Sequence, residues 1–307
     1  MSAFYAELSS EGLLHIEGPD TLKFLQGQTT CDTRTLSASQ SLPGAYCNPQ
    51  GRMVCDFLLT QLAGEHVVLR MRRSIMASAA ATLGKYILFS KAKLDAARED
   101  WSVFACWGED AESLLSSIVG EIPVGAYAAA MTEGCAVVRM AEALPYFEVY
   151  LGLAQQAEFL QRIAEAMQAA DEALWQAWQI GQGIARVEAE TVGEFIPQLF
   201  NYDLTGHVSF TKGCYTGQEI VARLHYRGKP KQRTHLLELD GDMALAAGTK
   251  LFTPGQDNST GTLLNSAAVA GHTLCLAAVN AQGVSGGLQL EGGNPLVMKE
   301  LPYALPS

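Results

Sequence analysis

The 307-residue chain changes its pattern of construction at about Thr234. Upstream, strand-like runs alternate with single amphipathic helices. Downstream, charge falls, Gly, Thr, Val and Leu dominate, and short apolar segments such as His235 to Leu239, Gly261 to Leu264 and Thr273 to Val279 are separated by Gly, Pro and Asn turns. Period-two segments with turn residues between them specify a small all-β domain, whereas interleaved strands and helices specify α+β subdomains. The expected organisation is therefore an α+β region over 1–233 in two subdomains, followed by an all-β domain over 234–307.

Within the first region two cycles of elements are readable. Leu13 to Ile16 reads as a strand, and Gly18-Pro19-Asp20 then opens a helix carrying Leu22, Phe24 and Leu25, with Asp20 placed to cap it. Asn48-Pro49-Gln50-Gly51 reads as a hairpin-like turn into the apolar run Met53 to Leu59; Val67 to Met71 follows as a strand and Ser74 to Tyr86 as a helix. The second cycle has a strand at Val103 to Trp107, a helix over Ala111 to Val119, and strands around Ala136 to Met140 and Tyr146 to Leu151. The spacing of Phe159, Leu160, Ile163 and Met167 predicts a helix over 154–168. Asp171 is placed to cap another, which carries Leu174, Trp175 and Trp178 and is stopped by Gly181 and Gly183.

Hydrophobic residues make up 48% of the chain and charged residues only 17%, which supports an ample core in a soluble globular protein. No basic segment followed by an apolar run opens the chain, and no run of 18 apolar residues occurs, so a cytoplasmic address is expected. The seven cysteines are odd in number and scattered, which predicts reduced thiols; none has zinc-motif or cluster-motif spacing, so no bound metal is expected. A net charge of −11 argues against a generally nucleic-acid-binding surface. Two windows invert the sign: 66–94 carries Arg70, Arg72, Arg73, Lys85, Lys91 and Lys93, and 223–233 carries Arg223, Arg227, Lys229, Lys231 and Arg233, neither with an acid. Brought together, these windows make a basic region for a polyanion or for a poly-carboxylate tail; kept apart, they are two solvated faces.

Residues Lys212-Gly213-Cys214-Tyr215-Thr216-Gly217-Gln218-Glu219 place a thiol, a cation, two glycines and an amide in one short stretch before the second basic window. Gly213 and Gly217 can take positive φ and let a ligand approach the backbone, and the charge of Lys212 is placed to stabilise a Cys214 thiolate. The same spacing also fits a glycine-bounded turn whose cysteine is a small buried hydrophobe.

From Glu194-Phe195-Ile196-Pro197-Gln198 through Ser209 to Glu219 and on to Val221-Ala222-Arg223 and Arg227-Gly228-Lys229, the chain resembles the YgfZ family of folate-binding proteins, relatives of the glycine-cleavage aminomethyltransferases. Weaker similarity covers nearly the whole chain. The resemblance implies an α+β fold class: an aminomethyltransferase-like folate-binding region of two subdomains followed by a C-terminal β-barrel. It also implies tetrahydrofolate or a derivative as ligand, and a role in tRNA modification and in maintaining iron–sulfur enzymes, notably methylthio-transferases that act on tRNA. By the same resemblance Trp175, eight residues before Gly183, is a folate-contacting residue; without it, Trp175 and Trp178 read as core residues on one helix side.

This chain departs from the YgfZ pattern at one place and from the aminomethyltransferases at two. The stretch aligned with a second folate-contacting Trp is Glu11-Gly12-Leu13-Leu14, without one. The pterin-binding acid two positions before Gly183 is replaced by Gly181. The Asp needed for methylene transfer is replaced by Cys55 in Gly51-Arg52-Met53-Val54-Cys55-Asp56. Asp56 lies one residue along a strand and so points to the opposite face, and a neutral thiol does not supply a carboxylate's charge. Glycine-cleavage chemistry is thus not expected of this chain.

The leading expectation is a tetrahydrofolate-binding accessory protein of iron–sulfur-dependent tRNA modification. Cys214 is its functional thiol, as a redox-reactive thiolate, a transient ligand or a loop-shaping group. Lys212 is the local cation, Tyr215 and Gln218 are hydrogen-bonding groups, Arg223 is an anion contact, and Tyr215, Gly217, Gln218 and Arg223 are expected with Trp175 to bind the cofactor. The alternatives are a folate-dependent one-carbon transferase or demethylase using Asp56, Glu188 or Glu219, and a direct tRNA-binding module using the two basic windows.

Overall fold

The computed structural model describes residues 3–142 and 144–306. They divide into two units, one drawn from residues up to Tyr46, from Cys55–Glu172 and from Thr211–Tyr215, the other from Cys47–Val54, Ala173–Phe210 and the chain from Thr216 onward.

The first unit is built on two sheets. In chain order its elements are β1 (Ala3–Glu7), β2 (Glu11–Glu17), α1 (Thr21–Gln26), β3 (Leu42–Cys47), β4 (Met53–Ala63), β5 (His66–Arg72), α2 (Arg73–Gly84), β6 (Lys93–Asp95), β7 (Trp101–Gly108), α3 (Ala111–Val119), β8 (Ala129–Thr132), β9 (Cys135–Arg139), β10 (Tyr146–Gly152), α4 (Leu153–Ala166) and β11 (Gln168–Ala169). One sheet has the order β3-β4-β5-β2-β6 and the other β11-β1-β7-β10-β9-β8.

Both faces of β2 are buried, which is why its sequence shows no clean alternation. One face carries Gly12, Leu14 and Ile16 and receives α2, where a Cβ on Gly12 would come within 2.7 Å of the Met76 sulfur. The other face carries charge. Arg70, cross-strand from Leu13 and Leu58, bonds Glu148 of β10 at 2.9 Å and Glu11 at 3.3 Å. Arg72 bonds Glu11 at 2.9 Å, and the Tyr150 hydroxyl donates to Glu148 at 2.8 Å. Burying such ions is tolerable only because each is paired and hydrogen-bonded. The far face of the second sheet packs Phe104, Phe147, Val149 and Leu151 against Leu115 of α3 and Phe159 and Ile163 of α4.

These positions correct the basic reading of residues 66–94. Arg70 and Arg72 are 3% and 8% exposed and neutralised internally, so they belong to no polyanion surface. Asp20 also departs from expectation: it makes no side-chain cap on α1 and instead accepts from the Lys91 amide at 2.8 Å.

In the second unit α5 (Glu172–Gly181) and α6 (Gln218–Arg227) precede β12 (Gln232–Asp240), β13 (Lys250–Phe252), β14 (Ser259–Val269), β15 (His272–Asn280), α7 (Ala281–Gly286), β16 (Leu288–Leu290) and β17 (Pro295–Lys299). The six strands close into a barrel in the order β12-β15-β14-β13-β16-β17, which removes the open sheet edges. Leu237, Leu239, Leu251, Leu263, Cys275 and Val279 fill it. The three segments expected to be strands after Thr234 lie in β12, β14 and β15.

A bulge between Leu263 and Asn265 in β14 turns the Asn265 amide toward the segment following α5. There it accepts from the Arg186 N–H at 2.8 Å and donates to Glu188 at 2.9 Å. Gly183, with φ +69°, lies against the C-terminal residues Leu301 and Tyr303, and the Tyr303 hydroxyl donates to its carbonyl at 2.8 Å. No described helix is long and apolar enough to cross a membrane.

Candidate functional site

The loop singled out in the sequence is fixed at both ends by backbone geometry. In the first unit Lys212 is 6% exposed and turns its ammonium onto the turn that follows α1. Nζ donates to the carbonyl oxygens of Gln26 at 2.9 Å and Cys31 at 2.8 Å, and to that of Thr29 as well. The Tyr215 ring lies under the same ammonium, 5.1 Å from centroid to Nζ, and is itself buried. Burial pulls the Lys212 pKa down to about 8. The expectation that Lys212 serves as the local cation for Cys214 thus meets a different geometry: its three donors are committed to three carbonyls, and the residue positions the loop.

In the second unit Gly217 takes φ +82° and forms the N-terminal boundary of α6. A Cβ there would overlap the Asn48 carbonyl oxygen and stand 3.0 Å from the Gly51 Cα. Glycine is therefore demanded by the close approach of the Asn48–Gly51 turn. A Cβ on Gly213 meets nothing within 4 Å, and φ at that residue is not positive. The structure thus separates two glycines that the sequence treats alike.

Cys214 stands between these anchors and is exposed, while the other six cysteines are buried. Burial pushes the Cys47 and Cys275 thiols up to about 12 and that of Cys135 to about 11, and raises Cys31 and Cys106 as well. A thiol reacts as its thiolate, so these five are inert packing groups at neutral pH. Cys31 also packs against Phe57 across Gly44, where a Cβ would reach to 2.9 Å of its sulfur.

The remaining expected site residues are distributed as follows. Gln218 is the half-buried first residue of α6, and Arg223 is exposed on that helix. The helix itself was missed from sequence, although Ile220, Val221 and Leu224 carry its spacing and Val221 is fully buried. Trp175 is 1% exposed on α5, its ring centroid 4.6 Å from that of Trp178 and tilted 31° to it; Trp178 is only half-buried. Cys55 is fully buried in β4 and Asp56 is 2% exposed beside it. Glu188 is held by Asn265, and Glu219 is exposed at the start of α6. In the second basic window Arg233 forms a two-pronged pair with Asp203 at 2.6 and 2.9 Å, so it too is neutralised.

Comparison with known proteins agrees with this architecture. The family model described as the GCVT N-terminal domain matches residues 2–171. A curated relative from Yersinia pseudotuberculosis serotype O:1b, named tRNA-modifying protein YgfZ, is 30% identical over 304 residues, covering 97% of this chain and 92% of its own. A protein of the same name from Colwellia psychrerythraea is 31% identical over 229 residues, covering 75% and 69%. Among solved structures, the glycine cleavage system aminomethyltransferase T from Bartonella henselae superposes with a TM-score of 0.79 at 16% identity over 99% of this chain and 86% of that one, which establishes the fold. Sequence and fold together show that the chain belongs to the YgfZ family, with a GCVT N-terminal domain on an aminomethyltransferase-like fold.

Proposed function

We propose that this protein is an accessory factor of tRNA modification that binds a reduced folate and presents Cys214 to iron–sulfur tRNA-modifying enzymes. The observation that carries the reading is the isolation of one exposed thiol among seven, on a loop anchored by Lys212 and Gly217. A structural cysteine in a chain with this much core belongs inside, as the other six are; an exposed one on a fixed loop is placed to meet another molecule. One thiol does not hold an iron–sulfur cluster, so the partner enzyme supplies the remaining ligands. The names of the curated relatives support the tRNA connection.

The folate part rests on the aminomethyltransferase-like scaffold and on the tryptophan pair. A pterin needs an aromatic face and a few hydrogen-bonding groups. The ring it would meet first is that of half-buried Trp178, with the tilted ring of Trp175 packed against it. One-carbon transfer is the weaker reading, because buried Cys55 stands where the resemblance places the catalytic carboxylate.

Titration with tetrahydrofolate while tryptophan fluorescence is followed tests the folate claim. Saturable quenching that is lost in Trp178→Ala and weakened in Trp175→Phe is the expected result. An absence of quenching and of calorimetric heat with tetrahydrofolate and its one-carbon derivatives would remove folate from the account.

A further inference from the structure

The loop that joins α2 to β6 carries large apolar side chains exposed to solvent among the described residues. Tyr86 is 46% exposed, Leu88 77% and Phe89 100%. Apolar surface of this size is costly to leave in water, and its concentration on one loop marks a contact surface.

Cations flank it. Lys85, Lys91 and Lys93 flank the three side chains and are exposed, and none forms an ion pair among the described residues. Two acids lie beside them: Asp20, whose carboxylate accepts from the Lys91 amide, and Glu17, which is cross-strand from Lys93 and paired with Arg98. In a chain of net charge −11, three exposed lysines outside any described ion pair beside an exposed aromatic residue are a local feature rather than a consequence of composition.

The loop is also held rather than loose. The Asp20 N–H donates to the Lys91 carbonyl at 3.3 Å, Gly18 is packed against the same carbonyl, and the Ser90 N–H closes a turn onto Ile87 at 2.8 Å. An exposed aromatic side chain on a tethered backbone, beside solvated cations, fits one class of partner best. Single-stranded nucleic acid offers π-faces for stacking and phosphates for the lysines. An apolar peptide would use the rings but not the three charges.

We infer that this loop is a docking surface for a single-stranded segment of RNA, with a base stacked on Phe89 and backbone phosphates near Lys85, Lys91 and Lys93. The inference deepens the tRNA-modification reading and rests on it. Arg70 and Arg72, from the same basic stretch of sequence, take no part because they are buried in ion pairs.

The test titrates the full chain with a fluorescent single-stranded RNA oligonucleotide, with a duplex of the same length, and with vesicles containing phosphatidylserine. Single-strand binding should exceed duplex binding. Phe89→Ala should weaken it roughly 5- to 150-fold, the effect of losing one stacked base. Replacing all three lysines with Gln should reduce the slope of log K against log salt by about 2. Both variants change exposed side chains, and unchanged thermal midpoints confirm that they fold.

Equal RNA affinity of Phe89→Ala and wild type overturns the proposal, as does binding to the vesicles with none to the RNA. Failure of RNA binding together with an inactive Cys214→Ser variant in cells removes the docking surface and leaves the thiol reading standing. RNA binding through Phe89 together with a fully active Cys214→Ser supports the docking surface and removes the thiol reading.

Discussion

The backbones of Gly217 and Gly51 lie so close that a Cβ on the first would stand 3.0 Å from the Cα of the second, while a Cβ on Gly51 would meet Ile220 at 2.9 Å. Both residues have positive φ, +82° and +73°. Gly217→Ala should therefore cost about 2–4 kcal/mol, combining the left-handed penalty of a side chain with a backbone collision that nothing flexible can relieve. Gly213→Ala, in open space, should stay within about 0.5 kcal/mol of wild type. Urea unfolding of the two variants compares them directly, and equal midpoints would show that the two turns do not meet.

Lys212→Met keeps the length of the side chain but removes the donor for three carbonyls. Leaving such acceptors buried without a partner costs about 1–3 kcal/mol each when fully desolvated, so a loss of roughly 3 kcal/mol is expected in denaturant melts. The Cys214 loop should also become accessible to protease cleavage, because Lys212 is its tether in the first unit. A stable variant with an unchanged digestion pattern would assign the lysine another role.

Removing one partner from the buried Arg70–Glu148 pair should be worse than removing both. Glu148→Leu leaves an uncompensated guanidinium and should cost about 3–5 kcal/mol, whereas the double variant Arg70→Met, Glu148→Leu should recover a large part of that loss. A double-mutant cycle on unfolding free energies reads the coupling. Additive losses would mean that the two side chains are solvated rather than paired.

His15 and His66 share a proton-bridged contact, Nδ1 to Nε2 at 2.8 Å. Burial, with the neighbouring His66 and Arg98, lowers the His15 pKa from 6.5 to about 4, and burial lowers that of His66 too. A base whose folded pKa is depressed binds fewer protons folded than unfolded between those values, so stability is complete above pH 6.5 and is lost as pH falls toward 4. Urea midpoints measured between pH 7 and 4.5 should fall further for wild type than for the His15→Gln, His66→Gln double variant. Parallel curves would show that the pair is not what titrates.

The elements with strong local period were legible in the sequence. The helix over Ala111–Val119 has the expected limits, and the barrel strands follow from alternation and turn residues. The helix after Arg73 ends at Gly84, two residues short of Tyr86, and the exposed ring of Tyr86 lies beyond it. What sequence does not carry is direction. Arg70 and Arg72 look like surface cations until strand register places Arg72 opposite Glu11 and Arg70 opposite Leu13, where it pairs with Glu148 of the other sheet. Lys212 looks like a partner for Cys214 until its ammonium is seen on three carbonyls some 180 residues earlier in the chain. Both depend on long-range pairing, which local spacing does not encode. The family signature brought Cys214 and Trp175 forward, but only burial shows that Cys214 is the exposed thiol and that Trp178 is the more accessible of the two rings.

The central claim, that Cys214 is the working thiol, is tested most directly in cells lacking their own copy of this protein by measuring methylthio-modified nucleosides in tRNA by mass spectrometry. Wild type and Cys47→Ser should restore the modification, and Cys214→Ser, folded and present at the same level, should not. Full restoration by Cys214→Ser would contradict the account and reduce Cys214 to a residue of the loop.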